Sequence, residues 1–247
     1  MEINGAIALV TGANRGLGRA FTQELLDNGA TKVYAGVRRP DESAFAGLDR
    51  SRIELLTLDV TDPELIAAAA ARAGDVTVLV NNAGTNANSD LLTGDPDALR
   101  RDLDTHLYGS LNLARAFAPV LDANGGGAIV NLLSAMSWFG LPGNGTYHVA
   151  KAAAWAMTNA IRLELAPQRT QVVGVHLGAA DTDMTADYQG PKITPASVAA
   201  AALGAIEDGS WEVLVDEWTV GVKASLAGDP APFYRQLLAT LQVPLAV

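Results

Sequence analysis

Seven short apolar runs alternate along the 247-residue chain with longer segments in which apolar residues recur at helical spacing. Residues 76–80, with the sequence VTVLV, are apolar or β-branched throughout, which is typical of a parallel strand covered on both faces. Strands that alternate with helices imply right-handed crossovers, so the sequence predicts an α/β protein with a doubly wound, seven-stranded parallel sheet and helices on both faces. The predicted strands are 7–10, 33–37, 53–58, 76–80, 128–133, 172–176 and 211–215, and the predicted helices are 17–28, 63–73, 96–121, 146–165 and 195–207.

No change in composition divides the chain. The sequence contains no internal repeat and no linker-like stretch, so residues 1–247 are predicted to form one domain, with 179–194 and 228–247 as its least regular segments. The absence of Cys excludes disulfides, thiolate metal sites and Cys nucleophiles, and we expect no bound metal.

Charge and hydropathy argue against two classes of partner. Seventeen basic residues against 27 acidic ones give a net charge of -10, whereas general nucleic-acid binding requires a basic face. No apolar run reaches the roughly 20 residues that span a bilayer, and residues 1–10 have no basic residue before their apolar stretch. We therefore expect no nucleic-acid partner, no membrane partner and a cytoplasmic location.

A glycine-rich loop, TGANRGLG at residues 11–18, follows the first predicted strand. Gly12, Gly16 and Gly18 permit a tight turn and a close approach of the backbone, and the helix that begins near Gly16 directs free N–H groups at a pyrophosphate. The spacing G-x-x-x-G-x-G differs from the commoner G-x-G-x-x-G, but its position after the first strand favours a dinucleotide site over an unliganded turn. The sequence therefore predicts a single-domain Rossmann fold.

Two arginines follow the second predicted strand. An acidic residue at this position would bind a ribose hydroxyl and indicate NAD, but the chain has Arg38 and Arg39. Guanidinium groups favour the 2′-phosphate of NADP, and Arg15 in the glycine-rich loop adds a further charge. NADP, as NADPH in reduction, is therefore the expected cofactor and NAD is the less favoured one. The alternative is that Arg38 and Arg39 form a solvated surface pair.

Five elements now follow one another in a recognisable order: the loop at 11–18, LDV at 58–60, NNAG at 81–84, Ser134, and YHVAK at 147–151. In these motifs and their spacing the chain resembles the short-chain dehydrogenase/reductase family, from residue 5 to about residue 215. A lone Y-x-x-x-K is common by chance, whereas all five elements in order are a strong signal. The resemblance implies an oxidoreductase of the NADP-preferring carbonyl reductase type.

The resemblance also implies residues that bind the cofactor. Asp59 matches the residue that binds the adenine amino group, and Val60 adds its backbone. Gly178 and Thr182 match a glycine and a threonine near the nicotinamide. The complete predicted set of cofactor contacts is Gly12, Asn14, Arg15, Gly16, Leu17, Gly18, Arg38, Asp59, Val60, Asn82, Ala83, Gly84, Tyr147, Lys151, Gly178 and Thr182.

The resemblance further implies that Ser134, Tyr147 and Lys151 are the catalytic residues. Tyr147 and Lys151 are one helical turn apart, so both project from one helix face. An ammonium group stabilises a nearby phenolate and brings the pKa of a tyrosine toward the working range. Tyr147 then protonates the carbonyl oxygen in reduction, while the Ser134 hydroxyl holds that oxygen. Ser137 is a nearby alternative to Ser134.

The chain departs from the family pattern at two positions. His106 lies where the family has an asparagine that holds a water molecule in a proton relay. We expect His106 to take that role and, because an imidazole titrates near pH 7, to add a group to the pH profile; a purely structural histidine is the alternative. Leu177 replaces a proline before Gly178, which is expected to loosen the following turn.

The predicted substrate site is apolar and contains Ser134, Met136, Trp138, Met184 and Tyr188. It lacks an obvious cation, so a hydrophobic ketone, aldehyde or secondary alcohol is favoured over a charged metabolite. Residues 179–194 are expected to form a lid that orders on substrate binding.

Two other functions remain open for this sequence. One is a non-catalytic dinucleotide-sensing regulatory protein, which has no need of Ser134, Tyr147 and Lys151 together. The other is an epimerase or dehydratase, although such enzymes often have longer chains. Apolar helix faces and the apolar segment 243–247 favour a homodimer or homotetramer.

Overall fold

The structure, a computed structural model, describes residues 1–243 of the chain and contains all seven predicted strands. The strands are β1 Ile7–Thr11, β2 Lys32–Val37, β3 Ile53–Thr57, β4 Val78–Asn81, β5 Gly127–Leu132, β6 Thr170–His176 and β7 Glu212–Leu214. They form one parallel sheet in the order β3-β2-β1-β4-β5-β6-β7. The order reverses between β1 and β4, which is where parallel sheets of this type bind ligands at the carboxyl ends of their strands. The predicted fold is confirmed.

Within the described residues, eight α-helices connect the strands and extend beyond the last one. They are α1 Gly16–Asp27, α2 Pro63–Arg72, α3 Ala98–Leu103, α4 Ser110–Ala123, α5 Gly145–Leu165, α6 Pro195–Asp208, α7 Glu217–Ser225 and α8 Pro230–Thr240. Three of them begin with a proline that follows a capping Asp or Thr, so the backbone groups freed at the helix start are satisfied by that side chain.

The core has two layers, one on each face of the sheet. Helices α1 and α6 cover one face with Phe21, Leu25 and Ile206, which pack against the buried side chains of the strands. Helices α2, α4 and α5 cover the other face with large apolar side chains that include Phe117 and Ile161. Buried on both faces, the sheet presents only its carboxyl edge for chemistry.

The structure corrects two predictions about helices. The single helix predicted at 96–121 is interrupted by a π-helical segment, Asp104–Gly109, between α3 and α4. The C-terminal region, predicted to be irregular, contains α8, and α7 precedes it. Pro230 at the first helical position and the Asp229 cap initiate α8, and its apolar side packs on an aromatic cluster described below.

Some predictions lie partly outside the described residues. Residues 244–247 are most of the apolar segment 243–247 and are not described, so the domain bounds 1–247 stay a prediction. Within residues 1–243, no helix combines the length and hydropathy that crossing a membrane would require.

Candidate active site

The glycine-rich turn after β1 lies beside the end of β2. Gly12 and Gly16 adopt positive φ angles of 65° and 51°, a conformation that glycine enters without a steric penalty. The Gly12 N–H donates to the Gly36 carbonyl oxygen at 2.8 Å, which joins the turn to the last residues of β2. A Cβ on Gly18 would lie 2.1 Å from the Gly12 oxygen, so only glycine fits where α1 meets the turn.

The segment after β4 braces this turn from below. Asn82 Nδ2 donates to the Thr11 carbonyl oxygen at 2.8 Å, and the backbone N–H groups of Asn82 and Ala83 donate to Thr11 Oγ1 at 3.0 and 2.9 Å. A Cβ on Gly84 would lie 2.9 Å from the His106 ring. Asn82, Ala83 and Gly84 thus lie together at the switch point between β1 and β4, and their contact with a cofactor stays a prediction.

The N-terminus of α1 is suited to an anion. Arg15 occupies the capping position with extended backbone and makes no capping hydrogen bond with its side chain. The first turn also contains no acidic residue. N–H groups left free at a helix start bind phosphate through the helix dipole and direct hydrogen bonds, so Gly16, Leu17 and Gly18 fit a pyrophosphate.

The arginines predicted to bind a 2′-phosphate are near the expected edge but are not all free. Arg38 and Arg39 follow β2 directly and are exposed. Arg15 instead pairs with Asp183 at 2.7 Å, and both side chains are mostly exposed. Because exposed ion pairs contribute little free energy, a phosphate can compete for Arg15.

The catalytic residues predicted from the sequence lie together, just after the carboxyl end of β5 and in the first turns of α5. Ser134 is buried, its Oγ accepts the Met136 N–H at 3.1 Å, and it faces the Tyr147 phenol. Lys151 Nζ donates to the Leu132 carbonyl oxygen at 2.7 Å and lies 5.6 Å from the centre of the Tyr147 ring. Ser137 Oγ is buried and has no hydrogen-bond partner among the described residues, so the geometry favours Ser134.

Burial governs the proton affinities of this group. It raises the pKa of Tyr147 well above the ordinary value of a phenol, a rise that the Ser134 hydroxyl partly opposes. Burial lowers the pKa of Lys151 to about 7, and the charge of Asp102 opposes that fall. Tyr147 is therefore held as a proton donor near neutral pH.

His106 lies in the π-helical segment beside the catalytic tyrosine. Its ring meets the Tyr147 ring edge-on with the centres 5.3 Å apart, and its Nε2 lies 2.7 Å from the Thr85 carbonyl oxygen. Burial, with a smaller contribution from the charge of Lys151, lowers the pKa of His106 to about 3. The structure therefore does not support the expectation that His106 adds a titrating group near pH 7.

Asp102 is a site residue that the sequence analysis missed. It is 0% exposed and accepts hydrogen bonds from Thr85 Oγ1 at 3.1 Å, the Ala87 N–H at 3.2 Å and Thr146 Oγ1 at 2.8 Å. A signal was present, because Asp102 lies four residues before His106 and thus near it on a helix face. In a run of charged residues, however, it resembles one member of a solvated face.

The turn after β6 is held by contacts other than a proline. Leu177 is buried, and its carbonyl oxygen accepts the Ala135 N–H at 2.9 Å. The Gly178 N–H donates to Asp216 Oδ2 at 2.7 Å. Thr182 then lies against the glycine-rich turn, 3.2 Å from where a Cβ on Gly16 would stand. The loosening expected from Leu177 is thus countered by these bonds.

Residues 179–194 form a loop whose two ends are joined. Asp181 N–H donates to the Ile193 carbonyl oxygen and Ile193 N–H to the Ala179 carbonyl oxygen, both at 2.9 Å. Met184 and Tyr188, predicted to contact substrate, are 52% and 50% exposed on this loop. Both side chains are open to solvent and lie outside the core.

The apolar side of the site is larger than the sequence predicted. Trp138 stacks on His176 with ring centres 4.0 Å apart, and Met136 is half-buried beside it. Helices α7 and α8 add aromatic side chains, so that Phe139 contacts both Trp218 and Phe233. A cavity of about 160 Å³ is lined by Trp138, Phe139, Ser225, Leu226, Gly228, Pro230, Phe233 and Tyr234.

The remaining predicted cofactor residues occupy the edge of the sheet. Asp59 Oδ1 accepts the Thr61 N–H at 3.0 Å, and Val60 is buried next to it. Asn14 is exposed in the glycine-rich turn. Among residues 1–243, no group of three or more His, Cys, Asp or Glu side chains is placed to hold a metal ion.

Comparisons with known proteins agree with this geometry. The family model described as short chain dehydrogenase matches residues 6–192. Trans-4-hydroxycyclohexanecarboxylate dehydrogenase from Sinomonas cyclohexanicum is 33% identical over 193 residues, which are 73% of this chain and 74% of that protein. A short chain dehydrogenase from Burkholderia cenocepacia J2315, solved in complex with NADP, is 40% identical with a TM-score of 0.89, and the match covers 99% of this chain and 100% of that one.

A more distant solved structure carries a different cofactor. The 3-ketoacyl-(acyl-carrier-protein) reductase from Brucella melitensis, complexed with NADH, is 24% identical with a TM-score of 0.79. The match covers 87% of this chain and 98% of that one. At this identity the likeness shows the shared fold alone.

Proposed function

Since the chain belongs to the short-chain dehydrogenase family of oxidoreductases, we propose that it transfers a hydride between NADP(H) and an apolar carbonyl compound or the corresponding secondary alcohol. The observation that carries this proposal is the juxtaposition of Ser134, Tyr147 and Lys151 beside the braced glycine-rich turn. A purely regulatory dinucleotide sensor has no need of these three side chains together.

The chemistry assigned to the chain follows from its own side chains. The bound nicotinamide supplies or accepts the hydride. Ser134 holds the carbonyl oxygen, and Tyr147, kept protonated by burial, donates a proton to that oxygen. The Lys151 ammonium stabilises the phenolate that remains, at a position fixed by the Leu132 carbonyl oxygen. In alcohol oxidation, Tyr147 takes the proton back.

An apolar substrate is supported by the aromatic cluster beside Ser134. The cavity of about 160 Å³ shares Trp138 and Phe139 with this cluster, and neither Ser134 nor Tyr147 lines it. No cationic side chain is among the residues that line it. The Sinomonas relative is named for a cyclic secondary alcohol that also carries a carboxylate, so it supports a ring-sized substrate and does not support an uncharged one.

The preference for NADP is supported by Arg38 and Arg39 at the end of β2, and by the NADP complex of the Burkholderia relative. Arg15 adds to it by exchanging Asp183 for the 2′-phosphate. An assembly of two or four copies is supported by Tyr108, Val149 and Leu163, which are exposed on the π-helical segment and α5.

The first test measures turnover of a matched pair of ketones, cyclohexanone and 4-oxocyclohexanecarboxylate, with NADPH and with NADH. We expect NADPH to be preferred and the uncharged ketone to have the higher kcat/KM. Tyr147→Phe should lower kcat by about 10²- to 10⁴-fold while NADPH still binds. NADPH binding by the wild type without turnover of any carbonyl compound would favour a sensor instead.

Cofactor choice is tested with Arg38→Asp. Loss of a charge-assisted bond should lower kcat/KM for NADPH by roughly 10- to 100-fold, while kcat/KM for NADH stays the same or rises because the new carboxylate can bind the ribose hydroxyl. Arg235→Asp, the same charge change on an exposed residue of α8, is the matched control. A wild type that prefers NADH strongly would contradict the assignment.

A further inference from the structure

A buried carboxylate that the proposed chemistry does not use lies next to the catalytic pair. Asp102 is in the last turn of α3, fully buried, and its three hydrogen-bond donors come from two separate parts of the chain. Thr85 and Ala87 belong to the segment after β4, and Thr146 immediately precedes Tyr147. Several donors are what a charge needs if it is to be retained away from water.

The buried cation whose pKa this charge raises is Lys151, on the same helix as Thr146, which donates to Asp102. Arg101, the neighbour of Asp102 in sequence, is more than half exposed and already pairs with Asp95 at 2.6 Å. Lys151 is buried, and the charge of Asp102 acts on both Lys151 and Tyr147. The other titratable groups around Lys151 are His106 and His176, and burial lowers the pKa of each so that both are uncharged at neutral pH.

We propose that Asp102 is a positioning residue for the Tyr147–Lys151 pair, which anchors the start of α5 through Thr146 and sets the pH range in which carbonyl reduction proceeds. The effect on catalysis rests on the proposed function. The effect on Lys151 itself does not, because it belongs to the protein without substrate or cofactor.

The direction of the effect follows from charge. A negative group favours the protonated form of each neighbour, so Asp102 raises the pKa of both Lys151 and Tyr147. In Lys151 this effect opposes the lowering by burial, and in Tyr147 it adds to the rise caused by burial. Reduction requires a protonated Tyr147 and a charged Lys151, so its rate falls when pH rises through either pKa. Removal of the charge lowers both pKa values. The fall in the reduction rate at high pH, the alkaline limb of the pH–rate profile, must therefore begin at lower pH.

Asp102→Asn is the variant that tests this direction. The amide oxygen can accept from Thr85 and Ala87, while the amide nitrogen can donate to Thr146 Oγ1, so the fold is preserved. We expect the alkaline limb of kcat for carbonyl reduction to move down by roughly one pH unit. Asp102→Ser repeats the test if the amide variant does not fold.

A second readout needs no activity. The chain has four lysines, so Lys151 can be followed by NMR of ¹³C-labelled lysine and assigned with Lys151→Arg. In the protein without cofactor, Lys151 should titrate near pH 7, and roughly one unit lower in Asp102→Asn. If the wild type turns over no carbonyl compound, this titration still decides the role of Asp102.

Two controls separate charge from structure. Asp104→Asn makes the same charge change two residues away on a less buried side chain and should leave the titration of Lys151 in place. Thr146→Val removes a hydrogen bond but keeps the carboxylate, so it should lower the melting temperature without moving the Lys151 pKa. The proposal is overturned if Asp102→Asn leaves Lys151 unmoved, or if Asp104→Asn shifts it equally.

Discussion

At the scale of single residues, burial shifts the pKa values of Tyr147, Lys151 and His106 toward their uncharged forms. Tyr147 keeps its proton, Lys151 titrates near neutrality, and His106 is neutral. The neutral imidazole can still donate from Nε2 to the Thr85 carbonyl oxygen and support the ring of Tyr147. The relay role of His106 therefore stays a hypothesis about a neutral ring.

His106→Ala and His106→Asn test that hypothesis. The alanine variant should lower kcat by roughly 10- to 100-fold, because Tyr147 loses its edge contact and its position. Asn should restore much of the rate, since its amide can donate to the same carbonyl oxygen. We expect wild type and His106→Asn to show the same dependence of kcat on pH near pH 6.5. A fall in kcat with decreasing pH that is present in the wild type and absent from His106→Asn would show that the imidazole does titrate there.

At the scale of secondary structure elements, Asp216 joins two of them. Its Oδ1 accepts the Thr219 N–H at 2.8 Å and so caps α7, while its Oδ2 holds the Gly178 N–H at the end of β6. The aromatic wall from α7 and the cofactor segment that leads to Thr182 are therefore fixed by one carboxylate. A displacement of α7 on the substrate side should therefore also displace the segment after β6 on the cofactor side.

Asp216→Ala should affect stability and cofactor binding together. We expect a loss of about 1 kcal/mol from the missing helix cap, and a KM for NADPH raised severalfold because Gly178 is released. Asp229→Ala is the matched control, since Asp229 caps α8 through the Ala231 N–H at 3.0 Å and does not contact Gly178. Equal KM values in both variants would contradict the link.

The strands could be predicted because each is a continuous apolar run, which is a local signal. Ser134, Tyr147 and Lys151 are predicted from the resemblance of several motifs along the chain to one family, and helical spacing adds only that Tyr147 and Lys151 share one face of α5. The π-helical segment has no such signal, because its register depends on how His106 packs against Gly84 and Tyr147. Helix α8 did have one, the pair Asp229 and Pro230, which is typical of a helix start.

At the scale of the whole molecule, acid sensitivity is built into the histidines. The chain has three, and the pKa of each is lowered, mainly by burial: His106 to about 3, His176 to about 4, and His148 to a smaller extent. Glu212 lies 3.4 Å from His176 Nε2, but it is paired with Lys223, so burial decides. The unfolded chain binds these protons near pH 6.5, whereas the folded protein does not.

The contribution of the histidines to stability is therefore complete above about pH 6.5 and is lost as the pH falls toward their folded pKa values. Each histidine contributes a slope of up to about 1.4 kcal/mol per pH unit. Urea unfolding between pH 7.5 and 5 measures this slope. His176→Asn should reduce it by the contribution of one titrating group, up to about 1.4 kcal/mol per pH unit. A free energy of unfolding that stays constant over this range would contradict the prediction.

The paired ends of the loop 179–194 have a consequence for how new specificities arise. Hydrogen bonds between Ala179, Asp181 and Ile193 close the loop at its base. These bonds, and not the residues at the tip of the loop, offset the entropy that is lost when the two ends are brought together. Doubling the length of such a loop costs only about 0.6 kcal/mol. Insertions and exchanges between residues 186 and 192 can therefore change the substrate side of the site while the sheet and the Tyr147–Lys151 pair stay as they are. This part of the loop is where a different substrate preference is most readily introduced.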